Sequence, residues 1–252
     1  MRVSIKHFFG IFLIVIVFLS GCQNKKPITI YTIGDSTMAN KKAEVYPETG
    51  WCQVLGDYFD ESVTVKNHAV NGRSSKSFID EGRWDAVLDS LKKGDVVFIQ
   101  FGHNDEKAYD TTRYTTPFGT YAANLERFVT ETREKGATPI LFTSIVRRKF
   151  GEDGKLVDTH GDYPVATRDV AQKLDVLLID LQVLTENWVN GLGDEPSKAM
   201  YLWTEPNERF PKGRKDDTHL SVEGARQVAI LALEECRRQN LGFSNRIKID
   251  QQ

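Results

Sequence analysis

Four short polar segments hold the residue types of serine-based acyl transfer: Gly34-Asp35-Ser36, Asn71-Gly72, Gly102-His103-Asn104-Asp105 and Asp216-Asp217-Thr218-His219. Ser36 follows an apolar, β-branched run that stops at Gly34. It is therefore expected at the carboxyl end of a strand, where an open α/β sheet presents ligand-binding groups on a rigid support. A hydroxyl there suits a nucleophile, and it suits a helix N-cap equally well. Gly72 closes the second apolar run. Lacking a side chain, it lets a ligand approach and offers its N–H, or it simply makes a polar turn. Asn104 can donate its side-chain amide to a developing oxyanion, with the same plain alternative. Three-residue spacing through a turn can bring the Asp216 carboxylate to Nδ1 of His219, fixing the tautomer and leaving Nε2 as a base. The alternative there is an exposed loop histidine beside two carboxylates. Asp217 competes for the same ring, and is expected to turn away or brace the loop.

The elements that must position these groups alternate between strand and helix patterns. Strand patterns cover residues 28–33, 63–68, 96–101, 139–145 and 176–180, and the third has the continuous apolarity of a central buried strand. Helical spacing covers 51–59, 78–91, 121–129, 164–173 and 184–189. Residues 147–163 read as irregular and 191–217 as a long polar loop. A final helix is expected with Ser221 as N-cap and Val222, Ala225, Val228, Ala229, Ala232, Leu233 and Cys236 facing inward. Such alternation predicts a single doubly wound α/β domain with a parallel sheet between helix layers.

The 252-residue chain carries a formal charge of −2. Its first residues, with Arg2 and Lys6 ahead of an apolar run from Phe8 to Leu19, read as a secretory signal, the run being shorter than the ~20 residues of an untilted membrane span. Leu19-Ser20-Gly21-Cys22 resembles the bacterial lipoprotein processing box. That resemblance implies removal of residues 1–21 and lipidation of Cys22, followed by a short tether over 22–27; the domain that holds the four polar segments is expected over 28–245, with a tail over 246–252. A plain secretory signal with an incidental cysteine is the alternative. Cleavage removes two bases and no acid, so the mature chain is slightly more acidic, which argues against a nucleic-acid partner. Cys52 and Cys236 remain; one disulfide is open to them in an oxidising compartment, but helical placement and an apolar stripe favour buried thiols.

Taken together and in this order, Gly34-Asp35-Ser36, Gly72, Gly102-x-Asn104-Asp105 and Asp216-x-x-His219 resemble the SGNH/GDSL hydrolase family over essentially the whole mature chain. The resemblance implies a three-layer α/β/α sandwich, flavodoxin-like, with a five-stranded parallel sheet, in agreement with the five strand patterns. It implies Ser36 as nucleophile, His219 as general base and Asp216 as its orienter. The oxyanion hole would be the Ser36 and Gly72 N–H groups and the Asn104 amide. Within the family, the Gly-Asp-Ser-Thr opening, Arg147-Arg148-x-Phe150, Pro211-x-Gly213 and the Asp-Asp-Thr-His-Leu-Ser ending are most similar to rhamnogalacturonan acetylesterases. Thr37 replaces the usual leucine, which disfavours a lipase. The implied partner is an acetylated polysaccharide or oligosaccharide, most simply pectin, with a membrane reached through a lipid anchor on the periplasmic side or cell surface. Acetylated xylan, a sialate or another acyl ester are alternative substrates, and a non-catalytic glycan-binding lipoprotein is the alternative of another kind. No cofactor is expected, and no metal, since His68 and His103 lack a spaced ligand set.

Cations are expected around the cleft. Arg147 and Arg148 are assigned to substrate binding, and Lys149, Arg209, Lys212, Arg214 and Lys215 could join them in steering a polyanion. The same run is equally a solvated face neutralised by Glu152, Asp153, Glu205 and Glu208. Trp203 and Phe210 are candidates to stack on sugar rings or to pack the loop.

Overall fold

The computed structural model describes residues 25–249; the signal segment and Cys22 lie outside the described residues. Strands β1 (Ile28–Gly34), β2 (Val63–Asn67), β3 (Val96–Gln100), β4 (Thr138–Phe142) and β5 (Leu177–Ile179) form one parallel sheet in the order β2-β1-β3-β4-β5. Successive side chains point to opposite faces, so each strand feeds two cores. Ile30, Phe98, Ile140 and Phe142 face one, and Tyr31, Ile33, Val97, Ile99 and Leu141 face the other. The second core is covered by α1 (Ser75–Asp80), α2 (Arg83–Ser90), α3 (Ala122–Glu134) and α4 (Asp162–Lys173). The first is covered by α5 (Leu181–Leu192) and α7 (Val222–Arg238), with the single turn α6 (Asp194–Ser197) between them in the chain. This is the three-layer α/β/α sandwich that the motifs implied. The chain leaves β1 toward β2 on one side and reaches β3 on the other, so the crevice beyond Gly34 and Gln100 is the topological switch point.

α7 follows its sequence pattern. Ser221 Oγ accepts from the Gly224 N–H at 3.1 Å, and Ala225, Val228, Ala229, Ala232, Leu233 and Cys236 are buried. Cys52 and Cys236 are both buried free thiols, the state expected of them.

Four local expectations fail for identifiable reasons. Residues 51–59 form turns with one 3₁₀ turn, Leu55–Tyr58: the N–H groups of Gln53, Leu55, Asp57 and Phe59 each bond three residues back rather than four. Cys52 is therefore not helical. The helix expected over 78–91 divides at Gly82, whose φ of +68° no continuing helix permits. The loop over 191–217 contains β6 (Tyr201–Thr204), which pairs antiparallel with β7 (Arg214–Leu220). The tail expected from 246 is part of the folded body through 249: Ile247 bridges to Phe59 and is buried, and Arg246 donates to Lys26 O at 2.8 Å.

The β6–β7 register carries the site. Thr204, Trp203 and Leu202 pair with Arg214, Lys215 and Asp216, but Tyr201 pairs with Leu220. Asp217, Thr218 and His219 therefore stand outside the ladder as a bulge, and bulges re-aim side chains next to active sites.

Candidate active site

Ser36 lies in the turn that leaves β1, where Met38 and Ala39 N–H groups both return to Asp35 O, at 3.3 and 3.1 Å. Gly34 is required by close approach: a Cβ there would lie 2.3 Å from Met38 Sδ and 2.5 Å from Gln100 O. Beneath the serine, Asp35 Oδ1 accepts from the Thr37 N–H at 2.8 Å and the Thr37 hydroxyl at 2.9 Å. Gln100 Nε2 donates to the same hydroxyl at 2.9 Å, and Trp51 Nε1 donates to Gln100 Oε1 at 2.9 Å. Thr37 is thus a buried node that ties the nucleophile turn to β3, which a leucine could not be. Thr37→Val keeps the shape but leaves Gln100 and Asp35 each one partner short. It is expected to cost about 1–3 kcal/mol, read as a lower denaturant midpoint at unchanged slope.

The other side of Asp35 faces His103, with Oδ2 3.2 Å from Nδ1. Burial pushes the Asp35 carboxyl up, but His103 and Thr37 outweigh it and hold the group at about 2. Burial pushes His103 down to about 4 against the pull of Asp35, so the ring is neutral at neutral pH.

His219 comes from the β7 bulge. Its Nε2 is 3.0 Å from Ser36 Oγ, and its Nδ1 is 2.8 Å from Asp216 Oδ2. Asp216 Oδ1 accepts from the Thr218 and His219 N–H groups, each at 2.9 Å, so one carboxylate shapes the bulge and faces the ring. Partial burial raises the Asp216 carboxyl, yet the His219 ring and these N–H groups together hold it well below the usual carboxylate range. Asp217 turns away, as expected, with Oδ1 accepting from Arg148 Nη1 and Trp203 Nε1 at 2.8 Å each.

Three donor groups, at Ser36, Gly72 and Asn104, line the same cleft as the imidazole. Among the described residues, the Ser36 and Gly72 N–H groups have no intramolecular acceptor. Gly72 lines the cleft with a φ of +74°, a conformation that favours glycine. Asn104 Nδ2 donates one N–H to Arg73 O at 3.1 Å, which leaves the second. Its Oδ1 accepts from Lys107 Nζ at 2.8 Å, and because an ammonium only donates, the amide cannot be flipped. Asp105, fully buried, accepts from the Ser75 N–H at 3.1 Å and Thr115 Oγ1 at 3.0 Å, joining the Asn104 loop to the start of α1 just after Gly72. Burial pushes its carboxyl up to about 7 against those bonds. The groups line one cleft of about 520 Å³ together with Glu48, Asn71, His103, Lys107, Arg147 and Thr218. Such a cleft can activate a hydroxyl through an oriented imidazole and hold a developing oxyanion. Among the described residues, no group of three or more His, Cys, Asp or Glu side chains is placed to hold a metal ion.

The expected cation cluster is not assembled. Arg147 reaches the cleft, but its guanidinium pairs with Glu106 and bonds Thr159 Oγ1 at 3.2 Å. Arg148 is 5% exposed and does not line the cleft, which corrects its assignment to substrate binding. It bonds Ser197 Oγ at 3.1 Å and pairs with Asp194 and Asp217, while its N–H donates to Asp217 O at 2.8 Å. It is a brace for the His219 bulge. Arg209 and Arg214 lie over the Tyr46 and Phe210 rings, and Arg148, Lys198 and Lys215 surround Trp203, so these aromatics pack with cations in the loop. Lys107 and Arg113, the cations that do approach the Asn104 amide, escaped the sequence reading because they stand singly among acids.

Comparison with known proteins accords with this geometry. The family model for GDSL-like lipases and acylhydrolases matches residues 32–227. Rhamnogalacturonan acetylesterase RhgT of Bacillus subtilis is 43% identical over 212 residues, covering 83% of this chain and 90% of its own length. The probable rhamnogalacturonan acetylesterase YesY of the same organism is 34% identical, covering 86% of this chain and 96% of its own. The crystal structure of YxiM from Bacillus subtilis superimposes with a TM-score of 0.72 at 27% identity, over 86% of this chain and 58% of that longer one. With the four motifs meeting in one cleft at the switch point of the sheet and the match running from β1 into α7, the chain belongs to the GDSL-like lipase/acylhydrolase family.

Proposed function

We propose that this chain is a cofactor-free serine esterase that removes acetyl groups from rhamnogalacturonan-type pectin. The observation that carries the reading is the continuous line of contacts from Ser36 Oγ to His219 Nε2 at 3.0 Å and from His219 Nδ1 to Asp216 at 2.8 Å. The substrate follows from the 43% and 34% identical relatives, both named for that activity. His219 takes the Ser36 proton as Oγ attacks the acetyl carbonyl. The oxyanion is held by the Ser36 and Gly72 N–H groups and the free N–H of Asn104, each such donor being worth ~10²–10³ in turnover. The imidazolium then protonates the departing sugar oxygen. Water, deprotonated by the same ring, releases acetate and restores Ser36. Acetate release from acetylated rhamnogalacturonan, compared with neutral acetylated xylan, tests the substrate. A clear preference for the pectin is expected, and equal or greater rates on xylan would overturn it.

The mature chain is proposed to start at Cys22 and to be held at the membrane by acyl chains. Leu19-Ser20-Gly21-Cys22 at the end of the apolar run supports this. Labelled palmitate should enter the wild-type protein and not Cys22→Ser, which should partition to the soluble fraction. Equal partitioning of the two would discard the anchor.

A further inference from the structure

Lys107 is the unmatched charge of the cleft. The other charged groups in its wall are engaged: Glu48 pairs with Lys41 at 2.8 Å, Asp216 faces His219, and Arg147 pairs with Glu106. Among the described residues, no carboxylate lies within ion-pairing distance of Lys107 Nζ, whose one recorded partner is the neutral Asn104 Oδ1 at 2.8 Å. An ammonium has three N–H donors, so two remain for the cleft. Behind it, Arg113 Nη1 lies 3.4 Å from the same amide oxygen and 3.5 Å from Gly72 O. Arg113 is itself held by Asp110, with Nε 2.6 Å from Oδ2. Burial, with Arg113 and Arg147 nearby, lowers the Lys107 pKa, and an anion placed beside the ammonium would offset that burden by favouring its charged form.

We propose that Lys107, backed by Arg113, is a carboxylate-binding site at the oxyanion end of the cleft, and that it takes the carboxylate of a uronic acid unit of the substrate. This rests on the acetylesterase reading and names the feature by which that site selects an acidic chain. The site is one side chain away from the amide proposed to hold the oxyanion. A uronate whose acetyl group is being removed, or its chain neighbour, therefore brings its carboxylate to the same wall. Of the cations grouped in the sequence only Arg147 lines the cleft, and it is paired with Glu106, which leaves Lys107 to provide the acidic preference.

The competing role is purely internal: Lys107 fixes the Asn104 amide and nothing more. The full chain would be assayed on an acetylated galacturonate-containing oligosaccharide and on the same material with its carboxyl groups reduced to alcohols. Wild type is expected to favour the acidic form in kcat/KM by about ten-fold, the scale of one charge-assisted hydrogen bond, with the ratio shrinking as salt is raised. Lys107→Met should bring the ratio to about one and Lys107→Arg should restore most of it. Equal losses on both substrates, with the ratio kept, would confine Lys107 to holding Asn104 and overturn the proposal. Should wild type cleave p-nitrophenyl acetate but neither oligosaccharide, the pectin reading falls. Inhibition of that small-ester reaction by deacetylated galacturonate oligosaccharides then reads the carboxylate site alone. Inhibition that weakens in Lys107→Met sustains the site, and inhibition that is absent or unchanged by the substitution ends it.

Discussion

Ser36→Ala is expected to lower kcat for acetate release by ~10⁴–10⁶-fold and to abolish labelling by a fluorophosphonate, with no comparable loss of stability. The reason for the separation lies in how the turn is built. Ser36 Oγ has one recorded bond, to His219 Nε2, and the side chain is only partly buried. The turn itself is held by Asp35, Thr37, Gln100 and Trp51, none of which needs the serine hydroxyl. A partly exposed Ser→Ala change free of such contacts belongs to the class worth within about 0.5 kcal/mol. What remains in the variant is the donor set of the residue 36 and Gly72 N–H groups and the Asn104 amide, able to help water attack but not to form an acyl-enzyme. Turnover within ten-fold of wild type, or persistent labelling at another residue, would remove Ser36 from the role of nucleophile.

The fold was legible where burial imposes a period. β1 and β3 alternate or run apolar because both faces of a central strand are covered, and α7 repeats its apolar residues at helical spacing. Asp216 and His219 were legible because their contact is local in sequence. The strand that carries them was not. β7 reads Arg-Lys-Asp-Asp-Thr-His-Leu, a charge run whose one buried apolar residue, Leu220, pairs with Tyr201, while cations gather around Trp203 on its partner strand. Residues 51–59 show the opposite error. Their apolar spacing is helical, yet the Trp51 N–H and indole are taken by Thr37 and Gln100 from elsewhere in the chain. Arg148, expected in the cleft, is a buried brace instead, and Lys107, of which nothing was expected, lines the cleft, for a similar reason. Sequence shows that a residue is cationic but not whether an acid awaits it in space, and Asp194 and Asp217 await Arg148 while Lys107 meets an amide.

Asp216→Asn is expected to lower kcat by about 10⁴-fold while leaving the bulge in place. Asparagine keeps the Oδ1 that accepts from the Thr218 and His219 N–H groups, at 2.9 Å each, so His219 is still delivered to the cleft. What changes is the atom facing Nδ1. An amide N–H₂ there makes Nδ1 the acceptor, puts the ring proton on Nε2, and removes the lone pair that must take the Ser36 proton. Asp217 cannot step in, because Arg148 and Trp203 both hold its Oδ1 at 2.8 Å. Nor does the partly exposed Arg214, 3.3 Å from Asp216 Oδ2, turn the loss into unfolding, since such a pair is worth ~0–1 kcal/mol. Two readouts separate this variant from a structural failure. Its thermal midpoint should stay near wild type, and a fluorophosphonate should still label Ser36, only slowly. A variant that keeps more than a tenth of the wild-type kcat would mean that the 2.8 Å contact between Asp216 and the ring does not set the tautomer. Because the Asp216 carboxyl is held well below the usual range, it stays ionised throughout the weakly acidic region. Any fall in wild-type activity there therefore reports protonation of a group other than Asp216.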